Sequence, residues 1–116
     1  MVEFSADRLD AIFSALSDST RRAMLARLSE ESQTVTALAE PFDMSLAAAS
    51  KHIRVLERAG LISRQVAGRV HTCSLDAHAL RAADDWLRTY ERFWSERLDA
   101  LERALRKAEP RKRRKK

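Results

Sequence analysis

A mainly α-helical fold with one β-hairpin is the fold class this sequence predicts, and three observations carry that expectation. The 116 residues contain only two glycines and two prolines, too few for the many turns of an all-β sandwich or barrel. Ala, Arg and Leu are the commonest residues, and all three are good helix formers. Two short runs rich in β-branched residues flank Gly68, and they are the one place where strands are expected.

Each element follows in order. Leu9, Ile12, Phe13 and Leu16 fall at helical spacing, so residues 6–16 form a first helix, with Ser5 or Asp7 available to cap it. Asp18 is the expected N-cap of a second helix over about 19–29, which carries Met24, Leu25 and Leu28. Residues 30–34 are polar and read as a loop. Thr34 or Thr36 caps a short third helix through Ala37, Leu38 and Ala39, which Pro41 keeps brief by biasing Glu40 away from helical angles.

The stretch from Ser45 to Gly60 is the most informative. Ser45 is a good N-cap, Ala47, Ala48, Ala49, Ile53, Leu56 and Ala59 make an apolar side, and Ser50, Lys51, Arg54 and Arg58 are polar. Gly60 stands where a left-handed C-cap is expected, with Leu61 as its hydrophobic partner. Leu61 to Val66 and Arg69 to Leu75 are the two strands, joined by a turn at Ala67-Gly68. Asp76 caps a long last helix over about 78–107, a rod of roughly 45 Å. Along it Leu80, Ala83, Leu87, Tyr90, Trp94, Leu98, Leu101 and Leu105 recur every three or four residues. The run Arg111 to Lys116 follows Pro110, and residues 108–116 are expected to be a disordered basic tail.

Length predicts a single domain, residues 1–107, ahead of that tail. Hydrophobic residues make up 45% and charged residues 34%, a globular balance. The net charge of +5 belongs to the tail: its last six residues hold six positive charges, which leaves residues 1–110 at −1. Basic composition is therefore no argument for nucleic-acid binding by the body, and the placement of charge must supply it. One cysteine excludes an internal disulfide. No apolar run is long enough for a membrane span and no secretory leader pattern opens the chain, so a cytoplasmic protein without membrane association is expected.

Two short helices, a capped helix with a polar outer face and then a hairpin are the order of a winged helix-turn-helix. The third and fourth helices would be held together by Leu38, Ala39 and Phe42 against Ile53 and Leu56. The fourth would enter a major groove about 12 Å wide. Small residues Ala47, Ala48 and Ser50 allow a close approach, while Ser45, Ser50, Lys51, His52 and Arg54 are the candidate contacts to bases or phosphates. Arg64, Arg69 and His71 place donors on the hairpin. The stripe Leu87, Tyr90, Trp94, Leu98 and Leu101 is longer than a small body can cover, which predicts a homodimer. Trp86, Tyr90, Phe93 and Trp94 suit that interface, or else a pocket for an unidentified small-molecule effector.

The sequence resembles the ArsR/SmtB family of bacterial winged-helix repressors. The resemblance lies in Ile12-Phe-Ser-Ala-Leu-Ser-Asp-Ser-Thr-Arg-Arg22, Leu38-Ala39, Ser45-Leu-Ala-Ala-Ala-Ser-Lys-His-Ile-Arg-Val-Leu-Glu-Arg-Ala-Gly-Leu-Ile62 and Gly68-Arg69. It covers about residues 7–105 and implies a homodimer that binds an imperfect inverted repeat in double-stranded DNA and represses transcription. It implies further that residues 45–59 are the recognition helix and that the first and last helices, through residues such as Leu9 and Phe13, build the dimer interface.

The family's metal motifs are missing. Its Cys-x-Cys positions correspond to Thr34 and Thr36, and neutral hydroxyls do not hold soft metals. Asp76 and His78 match half of a second site, but the completing positions are Thr89 and Arg92, and Arg cannot ligate. Asp76 is more simply a helix cap. No metal and no cofactor are expected. Cys73 reads as a small half-buried hydrophobe rather than a redox centre. His52, His71 and His78 have no paired carboxylates or phosphate loop beside them, so no enzyme chemistry is expected. The alternative function is a winged-helix protein-interaction or RNA-binding module without operator specificity.

Overall fold

A computed structural model describes residues 6–108 of the chain. Its elements are α1 (Ala6–Leu16), α2 (Ser19–Leu28), β1 (Gln33–Thr34), α3 (Val35–Ala39), α4 (Leu46–Arg58), β2 (Ile62–Ala67), β3 (Val70–Leu75), α5 (Ala77–Arg88) and α6 (Glu91–Ala108). The chain falls into two compact units, one ending at Ala83 and the other starting at Asp84, inside α5. The predicted tail lies outside the described residues except for Ala108, which is the last residue of α6.

The first unit holds the core. Ile12 and Ala15 of α1, Met24, Leu25 and Leu28 of α2, and Leu38 and Ala39 of α3 are buried together. So are Ala49, Ile53 and Leu56 of α4, with Ile62, Cys73 and Ala79 closing the cluster. The helical spacing of those residues is what puts them on inward faces. The caps of α2, α3 and α5 are the expected ones, whereas Ser5, a candidate cap of α1, lies outside the described residues. The Asp18 carboxylate accepts the Arg21 backbone N–H at 3.0 Å. Of the two threonines, Thr34 caps α3, accepting from the Ala37 N–H at 3.1 Å. Asp76 opens α5 by accepting the His78 N–H at 3.0 Å. At the end of α4 the Leu61 N–H reaches back to the Leu56 carbonyl and the Gly60 N–H to that of Glu57, both at 3.0 Å. That pair of bonds is a Schellman motif, and it needs the left-handed φ of +79° that Gly60 supplies.

Three expectations are corrected. The loop over 30–34 contains a short strand: Gln33 and Thr34 pair antiparallel with Cys73 and Thr72, so the sheet has three strands in the order β1-β3-β2. Two residues are too few to show a period, and their strand character comes only from the β3 edge beside them. The hairpin turn is Gly68-Arg69 rather than Ala67-Gly68, because Ala67 still pairs with Val70. Gly68, at φ +64°, takes the first of the two turn positions, where tight hairpins require a positive φ. The last helix is two helices. The Thr89 and Tyr90 N–H groups bond to the carbonyls of Trp86 and Leu87, three residues back, and the Thr89 hydroxyl donates to the Trp86 carbonyl as well. A β-branched residue whose hydroxyl competes for the backbone tightens the turn and ends α5. A new helix then starts with the Trp94 N–H on the Tyr90 carbonyl at 3.0 Å.

Candidate nucleic-acid interface

Helix α4 is built to show one face and bury the other. Ser45 precedes it in extended conformation (φ −69°, ψ 158°) and accepts the Ala48 N–H at 3.1 Å, which fixes the direction of the first turn. Ala49, Ile53 and Leu56 point into the core. Ala47, Lys51, Arg54 and Arg58 are exposed on the opposite side, and Ser50 is half-buried at its margin. The helix therefore presents two small residues and three cations along about three turns. Arg58 belongs to this face although only its polarity is noted in the sequence; its spacing of four from Arg54 was the available signal.

His52 is placed differently from its neighbours. Its ring turns toward α2, with Nδ1 3.0 Å from Arg21 Nη1 and 3.8 Å from the Asp18 carboxylate. A guanidinium has donors only, so Nδ1 accepts. Arg21 also donates from Nε to the Ala15 carbonyl at 2.8 Å and from Nη2 to that of Ser14 at 3.1 Å. One arginine thus ties the end of α1, the start of α2 and the middle of α4. The Arg21 N–H bond, followed by the neighbouring positive charge, holds the Asp18 carboxyl below its ordinary pKa.

On the hairpin the three predicted residues also divide. Arg64 and His71 lie on the sheet face that carries Ile62, Cys73 and Leu75. Arg64 forms an ion pair with Glu57 of α4 at 3.0 Å and lies 3.2 Å from His71 Nδ1. With its side chain only 21% exposed, it braces the hairpin against α4. Arg69 stands at the turn and is exposed. A shallow recess of about 390 Å³ runs from Arg69, Val70 and His71 to Thr34, Val35 and Thr36. Cys73 is buried, and burial pushes its thiol pKa up.

Of the predicted dimer residues, Leu9 and Phe13 in α1 are half-buried. Leu87, Tyr90, Trp94, Leu98 and Leu101 are all exposed within their own unit, and α6 buries none of its 18 residues. Trp86 and Tyr90 meet edge to face at 5.2 Å, and the Arg97 guanidinium sits 4.6 Å above the Phe93 ring. Leu87, Trp94 and Leu98 also line a recess of about 420 Å³ with Asp84, Arg88 and Glu91.

The positions that would complete a metal site do other work. The Thr34 hydroxyl caps α3, Thr89 ends α5 and Arg92 pairs with Glu96 at 3.5 Å. Asp76 binds His78 Nδ1 at 2.9 Å. Among the described residues, no three His, Cys, Asp or Glu side chains are grouped closely enough to hold an ion, and no helix is long and apolar enough to cross a membrane.

Known proteins share this arrangement. A helix-turn-helix domain family matches residues 16–65, from the end of α1 into β2. The HTH-type transcriptional regulator Rv2034 of Mycobacterium tuberculosis is 38% identical over 90 residues, which span 77% of this chain and 80% of that protein. The transcriptional repressor SdpR of Bacillus subtilis is 32% identical over 79 residues, 68% of this chain and 88% of that one. The crystal structure of an ArsR family transcriptional regulator matches with a TM-score of 0.75 at 41% identity, covering 81% of this chain and 97% of that chain. The chain belongs to the ArsR family of winged helix-turn-helix transcriptional regulators, DNA-binding proteins rather than enzymes.

Proposed function

We propose that the chain is a repressor that binds an imperfect inverted repeat as a homodimer. The observation that carries this reading is the outward face of α4, where Ala47, Ser50, Lys51 and Arg54 combine small size with positive charge on a helix locked by the Ser45 cap and the Gly60 motif. In this reading Ser50, Lys51 and Arg54 set sequence preference, Ser45 reaches bases or phosphates, and Arg69 grips the backbone or minor groove. His52, Arg64 and His71 act from within the fold, holding α4 and the hairpin at the angle the duplex requires. The homodimer is supported by α6: an 18-residue helix with no buried residue cannot repay its ordering entropy alone. Pairing with a second copy covers its apolar stripe and sets two α4 helices on one duplex, and an inverted repeat is the DNA that matches such two-fold symmetry. The repressor role is supported by SdpR, a repressor similar over most of its length. No cofactor enters this reading, and an effector, if the chain has one, is of unknown chemistry.

Selection of bound duplexes from a random pool tests the reading. An enriched inverted repeat is the expected result, and enrichment of nothing would refute it. Lys51→Ala and Arg54→Ala should each lose about 1–3 kcal/mol on that repeat, with relaxed preference at particular positions. Arg69→Ala should weaken all duplexes alike.

A further inference from the structure

We propose that Leu46 reads the C5-methyl group of a thymine in each half-site. The inference rests on the DNA-binding reading of α4 and adds to it a residue that no hydrogen-bonding pattern would single out.

Leu46 is the first residue of α4, immediately after the Ser45 cap. The fold leaves more than half of it in solvent: it is 55% exposed, while Ala49, Ile53 and Leu56 on the same helix are fully buried. A lone exposed leucine is ordinary. The position of this one is not. At 3.6 residues per turn, Leu46, Ser50 and Arg54 follow one another along a line within about 80° of arc, and Ala47 lies on the outer side of that line. The N-terminal residues of a recognition helix are the ones that meet base edges. An aliphatic side chain can neither donate nor accept there, and the thymine methyl is the apolar feature a major-groove edge offers. The small Ala47 side chain beside it leaves room for the leucine to reach that depth. A protein partner would need an apolar patch, yet the outer side of the helix that Leu46 borders carries Ser50 one turn on, Arg54 two turns on and Lys51 farther round. That polar, cationic setting suits a nucleic acid.

The test uses the full chain and the repeat recovered by selection. Each thymine of the half-site is replaced in turn, in both half-sites, by deoxyuridine, which lacks only the methyl group. Wild type should lose about fourfold in affinity per half-site at one position, the equivalent of the ~0.8 kcal/mol carried by one buried carbon. Leu46→Ala should bind the thymine and uracil duplexes equally at that position, and it should melt with the wild type because the site is on the surface. The proposal is overturned if wild type is indifferent to every replacement, if Leu46→Ala keeps the same sensitivity, or if Leu46→Ala unfolds markedly earlier. Failure of the broader reading looks different, since the selection itself would then recover no sequence.

Discussion

Truncating Leu98 to alanine isolates the contribution of α6 to pairing, and its size can be worked from the structure. Leu98 is 63% exposed in a single protomer. The substitution removes three carbons, each worth ~0.8 kcal/mol when fully buried, or about 2.4 kcal/mol in all. Pairing can gain only the part that one chain leaves in water, which is about 1.5 kcal/mol per protomer on the same scale. A two-fold interface contains the residue twice, so the dimer should lose about 3 kcal/mol. At ~1.4 kcal/mol per factor of ten, the dissociation constant should rise about a hundredfold. Sedimentation across a concentration series should find wild type dimeric where Leu98→Ala dissociates. Leu46→Ala is the matched control, because Leu46 is similarly exposed but lies on α4, and it should dimerise as wild type does. An unchanged dissociation constant for Leu98→Ala, or a wild-type chain that stays monomeric throughout, would refute the assignment of this face.

Two further outcomes are expected. Gly60→Ala should cost about 1–2 kcal/mol of stability in a urea titration, the penalty for a left-handed residue with a side chain. It should cost at least as much as Gly68→Ala, since a Cβ at Gly60 would fall 2.8 Å from Arg8 Nη2 whereas one at Gly68 meets open space. A Gly60→Ala protein as stable as wild type would contradict the Schellman assignment. Asp18, whose native pKa is lowered, contributes stability that is fully present above the ordinary carboxylate value near pH 4 and is lost as pH falls through the lower native value. Acid titration of wild type against Asp18→Asn should show the extra pH dependence only in wild type, and identical curves would refute it.

How far the sequence announces this molecule depends on whether a residue's role is local. Gly60 and its partner Leu61 were legible because a left-handed cap has a residue preference of its own. The outward face of α4 was legible because the 3.6-residue period separates Ala49, Ile53 and Leu56 from Lys51 and Arg54. The break at Thr89 was hidden, since Leu87, Tyr90 and Trp94 keep three- and four-residue steps across it and periodicity cannot register one tightened turn. Strand β1 was hidden for a different reason: Gln33 and Thr34 become a strand only through contact with β3, far away in the chain. His52 and Arg64 are polar residues on polar stretches, and whether such a side chain faces inward is decided by distant partners, here Arg21 and Glu57.

Thr34 has two attachments whose combination governs how the chain can change length. Its backbone pairs with Thr72 in the sheet, and its hydroxyl caps α3. Strand register is all-or-none, because a shift of one residue turns every side chain to the other face. A residue inserted or deleted between Gln33 and Ala37 would therefore force a choice between pairing the sheet and capping the helix. The far end of the hairpin has no such constraint. Residues added in pairs around Gly68-Arg69 would lengthen the arm and leave its base untouched. Insertions and deletions in this architecture should accordingly gather at the tip of the arm and be purged from its root, so that its reach can vary while its anchorage stays fixed.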